Sequence, residues 1–239
     1  LRSIDISVEK SFFIDKGVNM LVGIDEVGRG PLAGPLLLCA CVIGSVDVLE
    51  SLPAGIADSK SLSAKAREGI FARLQELEAS EVSPAGSNLH FLESWQSAAV
   101  ISELGLAAAI KLALADLTKQ LLELQPTMQL AKVPLRLQVL LDGGLKLPDK
   151  STPQQTVIKG DQKFRGIAAA SIWAKVKRDA YMQQVAQVYP SYGFESHVGY
   201  GTKKHLEAIA TKGITPEHRT NFAPVARQVD IFTSPTKKI

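Results

Sequence analysis

Only two cysteines, Cys39 and Cys41, occur in 239 residues, and they stand two apart in an apolar run. On a strand that spacing puts both thiols on one face, which suits reduced core cysteines in a cytoplasmic protein and excludes a disulfide framework or a cysteine zinc site. The four histidines, His90, His197, His205 and His218, show no metal-ligand spacing either. Long hydrophobic runs are also missing: stretches such as Pro35–Gly44 are well short of the ~20 residues a bilayer span needs. No basic-then-apolar leader opens the sequence, so export is not expected. No Gly-Lys-Ser/Thr follows the glycines near residue 28, which excludes an ATPase-type phosphate loop.

With 46% hydrophobic and 21% charged residues, the chain can bury a core as one large domain or as a domain with an appendage. Net charge is only +3, but it is unevenly spread. From Lys159 to Ile239 there are 13 lysines and arginines against 6 aspartates and glutamates; the first 158 residues hold 14 against 18. A basic C-terminal third beside a carboxylate-rich part suits a protein that grips a polyanion and cuts it with metals; a solvated basic face explains the charge equally well.

LVGIDE and PLLLCACVI read as strands joined by a Gly/Pro-rich turn that favours an antiparallel pair. Ile70, Phe71, Leu74 and Leu77 recur at helical spacing behind a Ser cap, which predicts a helix over Ser63–Ala79. A second helical region, Ser94 to Leu124, is interrupted by Gly105 and is expected to be two helices. LQVLLD (Leu137–Asp142) and QQTVIKGD (Gln154–Asp161) read as strands with a carboxylate at or just past the end. GIAAASIWAKVKRDAYMQQVAQVY predicts a long helix stopped by Pro190, then a glycine-rich loop feeding a shorter helix, and a polar tail at Ser234–Ile239. Strands first and then alternation with helices predict an α/β protein with a mixed sheet.

The stretch Gly28-Arg29-Gly30-Pro31-Leu32-Ala33 fits the dinucleotide pattern G-x-G-x-x-A. That reading fails, because the pattern needs a helix to start in the loop, whereas Pro35 and LLLCACVI favour a strand, and Asp25 and Glu26 would face an anionic pyrophosphate. A plain hairpin turn accounts for the glycines but not for Asp25 and Glu26, whose charges at a strand end require solvent or cations. The reading that accommodates both is a metal site with a backbone-and-arginine cradle for a phosphate or sugar beside it.

GIDEVGRGPLAGP resembles the signature of ribonuclease HII, the type 2 ribonuclease H family. ADSK (Ala57–Lys60), LLDGG (Leu140–Gly144), KGDQKFRGIAAASIWAKVKRD (Lys159–Asp179), YPSYGFESHVGYGTKKH (Tyr189–His205) and GITPEHRTNFAPV (Gly213–Val225) follow in the family's order and, with their connections, span about three quarters of the chain. The Gly28-Arg29-Gly30 turn is like that of HII rather than of the sister HIII type, which carries a further N-terminal domain. The resemblance implies an RNase H-like fold: a central five-stranded mixed sheet flanked by helices, with a C-terminal helical appendage. The corresponding division is residues 1–189 as catalytic domain, 190–227 as substrate-holding extension and 228–239 as tail.

The same resemblance implies catalytic, metal-binding carboxylates at Asp25, Glu26, Asp142 and Asp161. Asp179 competes for fourth place, but the family's carboxylate precedes the long helix, as Asp161 does, whereas Asp179 falls two or three turns into it beside Lys175 and Arg178, where a helix-surface ion pair suffices. Hard oxygen ligands select Mg2+ or Mn2+, and two such ions serve in-line displacement at phosphorus that leaves 5′-phosphate and 3′-hydroxyl ends. Gly28, Arg29 and Gly30 would approach the 2′-hydroxyl that separates RNA from DNA, and Tyr200 would stack near the sugar across the cut. A core tyrosine is the plainer reading of Tyr200. Lys60 is a further substrate contact; Lys203, Lys204 and Arg219 are weaker phosphate contacts. His197 and His205 flank the glycine loop and suit loop fixing or phosphate contact better than catalysis.

The implied activity is hydrolysis of RNA in RNA–DNA hybrids and nicking 5′ of ribonucleotides in duplex DNA, by a monomer. The rivals are another RNase H-like nuclease, such as an exonuclease that lacks the 2′-hydroxyl reader, and a nucleic-acid-binding module with a vestigial metal site. Gln228-Val229-Asp230-Ile231-Phe232 resembles the peptide that bacterial replication proteins insert into the sliding clamp; the plainer reading packs Ile231 and Phe232 back on the domain.

Overall fold

In the computed structural model, which describes residues 4–53, 55–56, 62–80, 89–124 and 134–233, helix α1 (Ser7–Ile14) precedes strands β1 (Met20–Val27) and β2 (Leu36–Ile43). Helices α2 (Val46–Ser51) and α3 (Ala64–Ala79) follow, then strand β3 (Leu89–Gln96) and helices α4 (Ala98–Leu104) and α5 (Leu106–Leu124). Strands β4 (Leu137–Asp142) and β5 (Gln154–Val157) lead through a 3-10 turn at Gly160–Gln162 into the long helix α6 (Arg165–Val188). Helices α7 (Phe194–His197), α8 (Lys203–Lys212) and α9 (Ala223–Thr233) complete the order. Among these elements no single helix is long and apolar enough to cross a membrane.

The strands form one mixed five-stranded sheet in the order β3-β2-β1-β4-β5, as the fold reading expects. β1 and β4 run parallel, with Met20 opposite Leu137 and Ile24 opposite Leu141; β4 and β5 are also parallel, with Asp142 opposite Val157. Every residue of β2 is buried, the continuous apolar pattern of a strand covered on both faces. Cys39 and Cys41 lie within it as free, buried thiols, and burial pushes both well above the ordinary thiol range.

Gly23 shows why β1 needs a glycine in its middle. A Cβ there would lie 2.2 Å from the Gly166 carbonyl carbon and 2.4 Å from the Ile167 nitrogen, so the first turn of α6 meets β1 backbone to backbone. That approach leaves the first N–H groups of α6 in need of acceptors. Glu9, wholly buried on α1, supplies them: its Oε2 accepts from Arg165 N at 2.9 Å and its Oε1 from Gly166 N at 3.0 Å. A carboxylate here also complements the positive end of the helix dipole.

Several elements depart from the sequence reading. Strand β3 continues through Gln96, and the helix begins only at Ala98, where the Ser97 side chain caps it by accepting from Val100 N at 3.2 Å. Ser94 is therefore strand, not the start of a helix. Helices α1, α2, α7 and α9 do not follow from the sequence reading, being short or lying next to other motifs. Gly105, at φ +82°, separates α4 from α5 as expected, and Ser63 caps α3.

Residue contacts gather the chain into two units built from interleaved segments. The first takes Leu1–Val27, Leu38–Ser94 and Lys111–Val176 and holds the body of the sheet; the second takes Gly28–Leu37, Trp95–Ile110 and Lys177–Ile239.

Candidate active site

Parallel pairing decides which carboxylates meet in the first unit. Since Ile24 lies opposite Leu141, continuing the register by one residue sets Asp25 beside Asp142, on strands about 4.8 Å apart. The Gly23–Gly166 crossing then places a hydroxyl on Asp25. Two residues along β1 and four or five along α6 both advance about 6–7 Å, and the Ser171 side chain bonds Asp25. Asp25 also accepts from its neighbour's backbone, Glu26 N to Oδ1 at 2.7 Å. Asp142 Oδ1 accepts from Gly160 N at 2.6 Å, which ties the end of β4 to the turn that carries Asp161. Asp161 is buried in that 3-10 turn, four residues past Val157, where β5 ends.

The electrostatics are those of a site short of positive charge. Asp25 is 8% exposed, and its carboxyl is pushed up to about 7, by burial first, with the charges of Glu26 and Asp142 adding to the rise and Ser171 opposing it. Glu26 has other interactions, but its Oε2 is buried and accepts no hydrogen bond. A divalent cation offsets both costs, and the donors are the hard oxygens that Mg2+ and Mn2+ take. The donors fit such an ion by chemistry; among the described residues, no three His, Cys, Asp or Glu side chains stand together in a group that could hold a metal ion.

In the second unit, Gly28 is buried at φ +92°, while Arg29 and Gly30 are exposed at the tip of the turn. Tyr200 is 45% exposed and lies beside that tip: a Cβ on Gly30 would be 3.6 Å from its ring. The core-tyrosine reading of Tyr200 is thereby excluded. Leu32 N donates to Gly199 O at 2.8 Å, so the Gly28–Pro35 loop and the loop carrying Tyr200 are stitched together by backbone.

Two arginines were misread from sequence. Arg219, taken as a phosphate contact, is fully buried and donates to the carbonyls of Gly28 (2.6 Å), Arg29 (3.1 Å) and Gly34 (2.8 and 3.0 Å). Arg178, taken as a helix-surface partner for Asp179, is also fully buried and donates to Pro35 O (2.9 Å), Val198 O (3.0 Å) and Ala33 O (3.2 Å). Burial lowers the pKa of both; that of Arg219 falls to about 9, with Arg178 adding to the effect, so Arg219 stays charged at neutral pH. The Asp179 charge still acts on Arg178, from inside the fold and not on a helix surface.

Lys203 and Lys204 are exposed, and lie 3.8 Å from Glu207 and 3.5 Å from Glu195. Lys60 lies outside the described residues, as does the rest of 57–61.

His197 and His205 fix the loop, and His218 joins them. His205 Nδ1 bonds Tyr200 O at 2.9 Å, its Nε2 lies 3.1 Å from His218 Nε2, and His197 Nε2 bonds Tyr192 O at 2.8 Å. Burial drives both His205 and His218 down to about 4, His205 aided by His197 and His218 by His205. Because the folded values lie below the ordinary histidine value near 6.5, the unfolded chain takes up protons first as pH falls. Stability from these two groups is therefore full above pH 6.5 and lost between there and pH 4. The thermal midpoint should fall by roughly 10 °C over that window, and His205→Gln should flatten the fall; an equally steep profile in the variant would contradict the assignment.

A family model described as Ribonuclease HII matches residues 22–225. A ribonuclease HII from Halalkalibacterium halodurans is 42% identical over 210 residues, 88% of this chain and 70% of that one. Of solved structures, a chain of the PCNA:RNase HII complex from Archaeoglobus fulgidus superposes with TM-score 0.61 at 23% identity, over 85% of this chain and 95% of that one. Bst-RNase HIII in complex with Mn2+ also gives 0.61, at 16% identity, over 94% and 74%.

Proposed function

The chain belongs to the ribonuclease HII family and is a ribonuclease H that hydrolyses the RNA strand of RNA–DNA hybrids, and from that premise we propose that it also nicks duplex DNA 5′ of embedded ribonucleotides, with Asp25, Glu26, Asp142 and Asp161 holding divalent metal. What supports the metal assignment is that the charges of Glu26 and Asp142 add to the rise of the buried Asp25 carboxyl, at the end of a strand that pairs in parallel with β4. The Mn2+ complex of Bst-RNase HIII supports the same class of ion. Two bound divalent cations would supply activation of the attacking water and neutralisation of the leaving 3′-oxygen, giving 5′-phosphate and 3′-hydroxyl ends.

This chain's residues hold and aim. Ser171 and Glu26 N fix the Asp25 carboxylate, and Gly160 N fixes that of Asp142. Gly28, Arg29 and Gly30 read the 2′-hydroxyl, helped by the space that Gly30 leaves beside the exposed Tyr200 ring. Lys60 remains a proposed substrate contact on its ADSK motif alone.

The fourth carboxylate is assigned by experiment. Asp161 is the expected ligand on its place ahead of α6, and Asp179, within α6, is the competitor. Asp161→Asn and Asp179→Asn should be compared on an RNA–DNA hybrid. Asp161→Asn is expected to lose at least about a hundredfold in rate while keeping its thermal midpoint, and Asp179→Asn to stay active; the reverse result would move the fourth ligand to Asp179. Full activity in both would refute a four-carboxylate site.

A sliding-clamp contact through Gln228–Phe232 extends the proposal, supported by the motif and by the A. fulgidus complex with PCNA. The backbone of this segment belongs to α9, and its side chains from Val229 onward lie outside the described residues. Phe232→Ala should abolish clamp pull-down; retained binding would remove the motif from the account.

A further inference from the structure

Seven hydrogen bonds from two wholly buried guanidiniums end on main-chain carbonyls of the two loops that meet at Gly30 and Tyr200. Such a concentration of charged donors requires a reason, since each guanidinium gives up its hydration on burial. The bonds are distributed unevenly. Arg219 takes the carbonyls of Gly28, Arg29 and Gly34, both flanks of the turn, whereas Arg178 reaches from Ala33 and Pro35 across to Val198. Val198 sits at φ +44°, a left-handed conformation that a β-branched residue adopts at a cost, two residues before Tyr200.

We propose that Arg178 and Arg219 are positioning residues for ribonucleotide recognition: together they draw the carbonyls of Gly28, Arg29, Ala33, Gly34 and Pro35 inward and fix the distance between the glycine turn and Tyr200. Neither touches substrate. The inference rests on the reading of Gly28–Gly30 as the 2′-hydroxyl reader. Its physical content is that a backbone reader discriminates only as well as its backbone is held. Carbonyl oxygens turned inward leave the outer side of the turn free of acceptors that would repel a phosphate. The planar fork matters here because each arginine serves carbonyls at several angles from one rigid group; an ammonium on a flexible stem serves them as a point.

The test uses the full chain carrying Asp25→Asn, so that bound duplex stays uncut, and compares affinity for a DNA duplex with one ribonucleotide and for the same duplex made wholly of DNA. Arg178→Lys and Arg219→Lys keep charge and stem and lose the fork. Each is expected to lower the preference for the ribonucleotide duplex about tenfold, the effect of losing one buried charge-assisted hydrogen bond. Partial unfolding reduces the competent fraction for both duplexes alike and leaves their ratio unmoved, so an unchanged ratio in a folded variant overturns the positioning role. Should the lysine variants fail to fold, the arginine Nε–H resonances of the Asp25→Asn chain provide the readout. They are expected to shift with the ribonucleotide duplex and not with all-DNA, and equal responses overturn the role. If the Asp25→Asn chain itself shows no preference, the 2′-hydroxyl reading fails and the positioning role with it, a result distinct from a preference that survives the lysine substitutions.

Discussion

Asp25→Asn should reduce cleavage of an RNA–DNA hybrid by at least about a thousandfold, or about 4 kcal/mol of transition-state stabilisation, without unfolding the protein. The two halves of that expectation have one cause. Asp25 is buried beside Glu26 and Asp142, and its pKa is raised to about 7, above its ordinary value. A group whose folded value is raised contributes stability fully below the unfolded value near 3.8 and loses that contribution as pH rises through 7. Above pH 7 the metal-free protein therefore carries an ionised Asp25 at a cost, and asparagine relieves it. The thermal midpoint of metal-free Asp25→Asn at pH 8 should equal or exceed that of the parent. A clear drop in midpoint would mean that Asp25 is structural and that the rate loss is secondary.

Gly28→Ala should be damaging in a different way, and the contrast with Gly30→Ala identifies how the turn works. At Gly28 a Cβ would sit 2.5 Å from Arg178 Nε and 2.6 Å from Pro35 O, and the backbone is at φ +92°. Alanine there must adopt a disfavoured conformation and also part Arg178 from the Pro35 carbonyl, together roughly 3–5 kcal/mol. At Gly30 the space beyond is open except for the Tyr200 ring at 3.6 Å, and the residue is exposed. Alanine at that position should change stability by less than about 0.5 kcal/mol while still impeding approach of a nucleotide to the turn. Denaturant midpoints for the two variants, set beside their cleavage rates, separate these effects. Equal destabilisation by both would contradict the account of the loop.

Local pattern carried much of the fold. β1, α3 and α6 were legible because each has an apolar period, a cap or a stop in its own residues, and the carboxylates of β1 and β4 were legible as charges where a buried strand should have none. What stayed hidden depends on contacts distant in sequence. Glu9 reads as a surface glutamate until α6 is laid over β1 at Gly23 and needs acceptors for its first N–H groups. Arg178 and Arg219 read as surface or phosphate-binding cations, since charge alone predicts solvent or a polyanion; no local signal says that loop carbonyls, all but one of them more than 140 residues away, will surround them. Likewise the two interleaved units follow from such long-range bonding and have no boundary in composition.

The central claim is that this chain cuts at a ribonucleotide by means of metal held on carboxylates. The most direct measurement is to incubate the chain with a labelled DNA duplex containing one ribonucleotide, titrating Mn2+ or Mg2+ against chelator, and to map the ends. The account predicts a single metal-dependent nick 5′ of the ribonucleotide with a 3′-hydroxyl end, and no cut in the matching all-DNA duplex. Cutting that persists in chelator, or that falls equally on both duplexes, would contradict it.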